Sequence, residues 1–290
     1  MKTYHIFTLI LMTMIYSASS AQFRAPSLGF FQGHTDVGSP AIPGTAHYSE
    51  PDQEYWLSGS GSNIWFGEDS FSFLWKKMSG DYILQAELQF IGDGTDPHRK
   101  AGLMIRSGLT ADAPHVSCVI HGDGLTSLQY RTTPGSDMQE VQFEISGPDV
   151  IQLEKKGDIY TMSVAKRGDL YSKESLEVAI GEQLVAGLFI CSHNDTVTEK
   201  VKFHNVRIFG TEPDGFVQYQ DYLGSLLEVM DVETGHRRIL DGAPGSWQAP
   251  NWTPDGKTLI YNADGLLYNY DLETRTATAV SYTHLRAHET

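Results

Sequence analysis

Residues 81–90 read DYILQAELQF, and the apolar side chains fall on every second position. Tyr82, Leu84, Ala86, Leu88 and Phe90 share one side, while Ile83, Gln85, Glu87 and Gln89 share the other. A side chain that reverses direction at each residue belongs to extended backbone, so the stretch predicts a strand with one face on a core. From about Ser60 to Phe209 similar short apolar runs alternate with turn residues, and no helical period is sustained. VIQLEKKGDIYTMSVAKRG predicts a hairpin turning around Lys156, Gly157 and Asp158. In KVKFHNVRIF the apolar positions shift parity between Phe203 and Val206, which predicts a β-bulge near His204 and Asn205. Strands recurring every dozen residues or so predict an all-β, antiparallel two-sheet sandwich.

The formal charge of −15 disfavours a phosphate backbone or an anionic lipid surface as partner. The first residues, MKTYHIFTLILMTMIYSASSA, carry Lys2, an apolar stretch from Ile6 to Tyr16, then small residues. That order predicts a signal peptide over 1–21, cleaved before Gln22, and hence export to a periplasmic or extracellular setting. The apolar part is shorter than the about 20 residues of a spanning helix, and nothing after it predicts a membrane crossing. Cys118 and Cys191 are the two cysteines. Both sit in strand-like runs, and they are either a disulfide, which export permits, or two separate buried thiols.

RKAGLMIRSG, HGDGLTSLQYRTTPG, IQLEKKGDIYTMSVAKRG, VAGLFICSHN and FHNVRIF follow one another in this chain. In that order they resemble a bacterial family of concanavalin A-like, laminin-G-like domains often appended to secreted carbohydrate-active proteins. The resemblance covers about residues 25–210. It implies a jelly-roll sandwich over 22–210 and a glycan as ligand.

GTEPDG, residues 210–215, reads as a linker over 211–215. Beyond it LEVMDVETGHRRIL at 227–240 is echoed by LYNYDLETRTATAV at 267–280, with Leu, Asp, Glu and Thr in register. Between the echoes APNWTPDGKTLIYNADG places a tight turn at Pro254, Asp255 and Gly256 before an apolar strand, Thr258 to Tyr261. A period near 40 with this pattern is the signature of a β-propeller blade. The stretch resembles the TolB-like propeller repeat, which implies a periplasmic scaffold that contacts envelope proteins. Residues 216–280 amount to about one and a half blades, against about 4–8 in a closed ring. Residues 281–290, SYTHLRAHET, break the pattern and are similar to a translated adapter tail, so the chain reads as a fragment.

No G-x-S-x-G elbow, H-E-x-x-H pair, P-loop or dinucleotide fingerprint occurs. The reading is therefore a non-catalytic binding module for a glycan or an envelope protein. The competing reading is the front part of a propeller-based glycan hydrolase or lyase whose active site lies elsewhere. No cofactor is expected, with one alternative: Asp93 and Asp96 in GDGTDPH are either polar turn residues or part of a calcium site, which needs about 6–8 oxygens.

The candidate binding surface is a sheet face. If Leu103, Ile105, Cys118, Ile120 and Leu128 point into the core, then Met104, Arg106, His121, Gln129 and Arg131 point outward together. Arginine forks beside Gln and His suit vicinal hydroxyls or a uronate carboxylate, and Trp65 or Trp75 offers a stacking face. The competing reading is a solvated sheet with ordinary cross-strand pairs and core tryptophans.

Overall fold

The computed structural model describes residues 27–280, Tyr219 excepted. The expected signal peptide (1–21) and the expected tail (281–290) lie outside the described residues. Strands β1 (Gly33–Val37), β2 (Thr45–Ser49), β3 (Glu54–Gly59), β4 (Phe71–Met78) and β5 (Tyr82–Ile91) come first. They are followed by β6 (Lys100–Arg106), β7 (His115–His121), β8 (Thr126–Arg131), β9 (Gln139–Gln142) and β10 (Val150–Lys156). Next are β11 (Ile159–Ala165), β12 (Ser172–Glu177), β13 (Leu184–Cys191) and β14 (Glu199–Gly210). The last six are β15 (Ser225–Met230), β16 (Arg237–Ala243), β17 (Trp247–Trp252), β18 (Thr258–Ala263), β19 (Leu266–Asp271) and β20 (Thr276–Ala279). No helix occurs among the described residues.

The first fourteen strands make two seven-stranded antiparallel sheets. One runs β1-β4-β13-β6-β7-β8-β9 and the other β12-β11-β10-β5-β14-β3-β2. Alternation explains their packing. On β5, Tyr82, Leu84 and Ala86 are buried, and Leu88 and Phe90 pack beside them. They meet Leu103, Ile105, Cys118, Ile120 and Leu128 from the opposing sheet in one apolar layer. Each such aliphatic side chain contributes about 1.5–3 kcal/mol through its burial, which fixes the register of both sheets. The hairpin at Gly157 forms as the pattern predicts, with Lys156 opposite Ile159. The register of β14 against β5 shifts between His204 and Arg207, and Asn205 takes φ 51°, so the predicted bulge is present.

Close backbone approach sets the centre of the first sheet. A Cβ on Gly187 of β13 would lie 1.9 Å from the carbonyl oxygen of Leu74 on β4. Only glycine fits there.

Beyond β14 the chain forms a two-stranded sheet, β15-β16, and a four-stranded one, β17-β18-β19-β20. The forty-residue echo is a structural one. Glu228 pairs Ile239 as Tyr268 pairs Ala279, and Met230 pairs Arg237 as Tyr270 pairs Ala277. Asp231 Oδ1 accepts from the Glu233 and Thr234 amides and the Thr234 hydroxyl. Asp271 Oδ1 accepts from Glu273 and Thr274 in the same way. The turn at Pro254–Gly256 is closed by Thr253 and Asp255, as the sequence predicts. Neither a closed barrel nor a closed ring of sheets occurs among the described residues.

The β15-β16 hairpin docks on the outer face of the second sheet. The Gln53 side-chain amide exchanges two 2.8 Å hydrogen bonds with the backbone of Ile239, as a neighbouring strand would. Arg207 donates to Glu228 at 2.7 Å. At the bulge, Asn205 donates to Glu87 and Gly235 and accepts from the Arg237 amide. Arg167 links Glu87 to the Thr234 carbonyl. Burial pushes the Glu87 carboxyl up, but hydrogen bonds from His204, Asn205 and Arg167 outweigh it and bring it to about 2.

Candidate functional site

Strands β6, β7 and β8 are adjacent, with Lys100 opposite His121, Arg106 opposite His115, and Ser117 opposite Gln129. Parity then places Lys100, Met104, Arg106, His115, Ser117, His121, Gln129 and Arg131 on the face away from the inter-sheet core. The five residues expected to share a side do share it. Their exposure is corrected: Arg106 and Arg131 are 0 % exposed, and Met104, Gln129 and His121 are buried too.

The loop 60–70 covers Met104, Arg106 and Arg131. Its Ile64 joins Phe71, Phe73, Met104, Val119, Val185 and Phe189 in a second apolar layer on the outside of the first sheet. Its Asp69 sits between the two arginines. Arg131 Nη2 donates to Asp69 Oδ1 at 2.7 Å and Nη1 to Oδ2 at 2.8 Å. Arg106 Nη1 reaches the same Oδ2 at 2.6 Å. The remaining guanidinium protons are taken by carbonyls, Gly108 and Thr110 for Arg106 and Ser136 and Phe66 for Arg131. Burial pushes the Asp69 carboxyl up, and its neighbours more than reverse that, leaving it below its ordinary value. Burial drives His115 beside them down to about 3 against the pull of Asp69, so it is neutral. The arginines therefore tie the loop to the sheet and have no fork left for a ligand. Asp69 lies 37 and 62 residues from its partners, and no local spacing announces it.

Further along the same face the polar groups are not spent. The Gln129 amide nitrogen donates to Glu140 Oε1 at 2.8 Å and to Ser127 Oγ at 3.1 Å, with His121 Nε2 at 3.4 Å. The carboxylate fixes which end of the amide faces it, so Gln129 Oε1 points elsewhere. The two amide protons go to Glu140 and Ser127, so the 3.4 Å contact does not assign the His121 ring proton. Burial, then the Lys100 charge, lowers His121 to about 4, which keeps it neutral. His121 Nδ1, Gln129 Oε1 and Ser117 Oγ are buried and have no partner. Lys100 Nζ binds Asn63 and the Ile64 carbonyl and lies 5.5 Å from the centroid of the half-buried Trp65 ring. Trp75 is on the same outer face but on β4, two strands from β6, its indole N–H on Thr35, packed against the second apolar layer. Ser117 and Lys100 were within reach of the alternation argument, since they share parity with His121 and Met104. Glu140 was not, because β9 is short and largely polar.

Asp93 and Asp96, the residues of the calcium alternative, line the loop 92–98. Asp96 accepts from the His98 amide at 2.7 Å and faces His193 Nδ1 at 3.3 Å. A cavity of about 290 Å³ lined by Asp93 and Asp96 also holds Arg99. That guanidinium donates to the Gly92 carbonyl and pairs with Glu199 at 2.6 Å, so the loop is built around a fixed cation of its own. No group of three or more His, Cys, Asp or Glu side chains fit to hold a metal occurs among the described residues. The disulfide alternative is corrected. Cys118 and Cys191 are free and buried. Cys118 belongs to the layer between the sheets and Cys191 to the layer outside, so one sheet separates them.

No family model matches the chain. A 48-residue stretch is 42 % identical to an uncharacterised protein of Agrobacterium fabrum; it covers 17 % of this chain and 16 % of that protein, so the chain spans about a sixth of that relative. Among solved structures, the chain is similar to a functionally unknown protein from Saccharomyces cerevisiae, at TM-score 0.47 and 13 % identity over 62 % of this chain and 97 % of that one. It is also similar to the carbohydrate-binding module CBM66 from Bacillus subtilis, at TM-score 0.40 and 14 % identity over 62 % and 96 %. A pseudo β-1,3-glucanase of Mycobacterium tuberculosis gives TM-score 0.40 and 9 % identity over 63 % and 100 %. No helix of the described residues is long and apolar enough to cross a membrane.

Proposed function

We propose that this chain is an exported, non-catalytic module that binds a neutral glycan on the face of β7 and β8. In this reading a jelly-roll sandwich is joined to the first blades of a TolB-like propeller that serves as scaffold. The observation that carries the ligand class is the set of buried atoms without partners: His121 Nδ1, the Ser117 hydroxyl and Gln129 Oε1. Each such group costs about 1–3 kcal/mol when left unpaired. The set offers a hydroxyl donor and a carbonyl acceptor together, and a sugar hydroxyl is the group that both accepts and donates. Glu140 accepts from the Gln129 amide and Lys100 donates to Asn63, so both are held by neutral partners. The half-buried Trp65 ring beside Lys100 supplies an apolar face for a pyranose. The edge strand β9, with Gln139 and Gln142 exposed, is the open side for approach.

The test is retention on a glycan array, followed by calorimetric titration of any glycan retained. Wild-type protein should retain at least one neutral glycan. Gln129→Ala and His121→Ala should each weaken that binding about tenfold or more, with melting temperature recorded as the folding control. Retention of no neutral glycan by the wild type, or equal binding by folded variants, defeats the reading.

A further inference from the structure

The β15-β16 hairpin and the loop 166–171 meet over the outer face of the second sheet and leave a cavity of about 200 Å³ between them. Gln85, Arg167 and Tyr171 of the sandwich line one side, and Met230 and Arg237 of the hairpin line the other. In a chain of formal charge −15, this cavity gathers three cations, Lys166, Arg167 and Arg237, against two carboxylates, Glu87 and Asp169. Two of the cations are engaged. Arg167 donates through Nη2 to Glu87 and through Nη1 to the Thr234 carbonyl. A Cβ on Gly235 would lie 2.4 Å from its guanidinium carbon, so the turn is open there to let the arginine lie against it. Lys166 Nζ donates to the Gly147 carbonyl. Arg237 differs. Its N–H and carbonyl are held by Asn205 and Arg207, but its guanidinium has no hydrogen-bond or ion-pair partner among the described residues.

Two neutral groups beside it are also unengaged. Gln85 Oε1 accepts from Gln152 at 2.7 Å, while Gln85 Nε2 has no partner among the described residues. Tyr171 is 40 % exposed, and its hydroxyl has none there either. Burial and then the Glu87 charge push its phenol up while Arg237 pulls it back, so the ring stands within the field of both. We propose that this cavity binds a uronate, one pyranose ring carrying a carboxylate. The planar fork of Arg237 takes the carboxylate. Gln85 Nε2 and the Tyr171 hydroxyl suit ring hydroxyls, and the Tyr171 ring and Met230 suit the apolar face of the sugar. The volume is below the roughly 300–1,000 Å³ of a drug-sized pocket, which fits one ring and not a chain. Because the two sides belong to different sheets, the ligand bridges hairpin and sandwich and tightens their dock. His121 and Gln129 lie on the first sheet, so the proposal stands apart from the glycan reading there.

Glucuronate is the probe, with glucose, which lacks the carboxylate, and acetate, which lacks the ring, as controls. Titrated into the full chain, glucuronate should give saturable NMR shifts at amides of 166–171 and 230–237, with a Kd of about 1 mM or tighter. Glucose and acetate should each bind about tenfold or more weakly. Saturating glucuronate should slow amide exchange across 225–243, because it binds the docked form alone. Arg237→Gln keeps the backbone bonds to Asn205 and Arg207 and should lose about tenfold or more in glucuronate affinity. Tyr171→Ala, changed on the sandwich side, should also weaken binding, with exchange of 225–243 unaltered in the absence of ligand. Absence of saturable shifts at those amides in the wild type overturns the proposal. So does equal glucuronate binding by the two variants, and acetate binding as tight as glucuronate removes the sugar ring from the ligand.

Discussion

Asp69 receives Arg131 through both carboxylate oxygens, at 2.7 and 2.8 Å, and none of the three charged groups, Asp69, Arg131 and Arg106, is open to solvent. One negative charge is thus shared by two guanidiniums inside the protein. Removing the shared partner strands two buried cations. Asp69→Ala should therefore cost about 3–5 kcal/mol, measured by urea denaturation. Asp69→Asn keeps the shape but not the charge and should fall between the two. A loss under about 1 kcal/mol for the Ala variant would mean that the loop 60–70 is not held by this pair.

Acid should weaken the first sheet before its carboxylates titrate. His115 and His121 are held neutral, at about 3 and about 4, against an ordinary 6.5. The native state therefore binds fewer protons than the unfolded one between those values. Their stabilising share is complete above pH 6.5 and falls as pH drops toward 4 and then 3. Each contributes up to about 1.4 kcal/mol per pH unit in that window. Urea midpoints measured at steps from pH 7 to pH 4.5 should decline, and His121→Gln should flatten part of the decline. Glycan retention, where it occurs, should stay level from about pH 8 to about pH 5, because His121 keeps one protonation state there.

The dock of the β15-β16 hairpin has its own acid limit. Glu87 at about 2, against an ordinary 4.5, adds stability above pH 4.5 that is lost as pH falls toward 2. Asn205→Gly keeps the positive φ of the bulge while deleting the side-chain contacts to Glu87, Gly235 and Arg237. Amides of 225–243 should exchange faster in that variant at neutral pH, with the sandwich core unchanged. Equal exchange would show that Gln53 and Arg207 suffice.

Gly187 tests the first sheet at its centre. A Cβ there meets the Leu74 carbonyl at 1.9 Å, so Gly187→Ala must push β13 and β4 apart. The expected result is a loss of about 1–3 kcal/mol, comparable with overpacking in a core, and an unchanged melting temperature would contradict it.

The strand pattern was legible because side-chain direction in extended backbone depends on nothing beyond the residue's own position. That is why Leu103, Cys118 and Leu128 could be assigned to the core, and why the bulge at Asn205 showed as a parity slip. The hairpin turns at Gly157 and Gly256 and the forty-residue echo were legible for the same reason, as they are made by neighbours in the chain. Alternation also gathered Met104, Arg106, His121, Gln129 and Arg131 on one face. Whether that face met water was another matter.

The amino-acid order by itself determined two alternating sheets, their turns and a repeat with its register. Only the tertiary structure decided that the loop 60–70 would lie over the outer face and that Asp69 would consume both arginines, leaving Ser117 Oγ, His121 Nδ1 and Gln129 Oε1 without partners. It also decided that one sheet would separate Cys118 from Cys191, and that Arg99 would pair with Glu199 beside the loop of Asp93 and Asp96. The physical reason is range. Period and turn chemistry act over a few residues, whereas burial and charge pairing depend on segments far apart in the chain, whose approach no local pattern encodes.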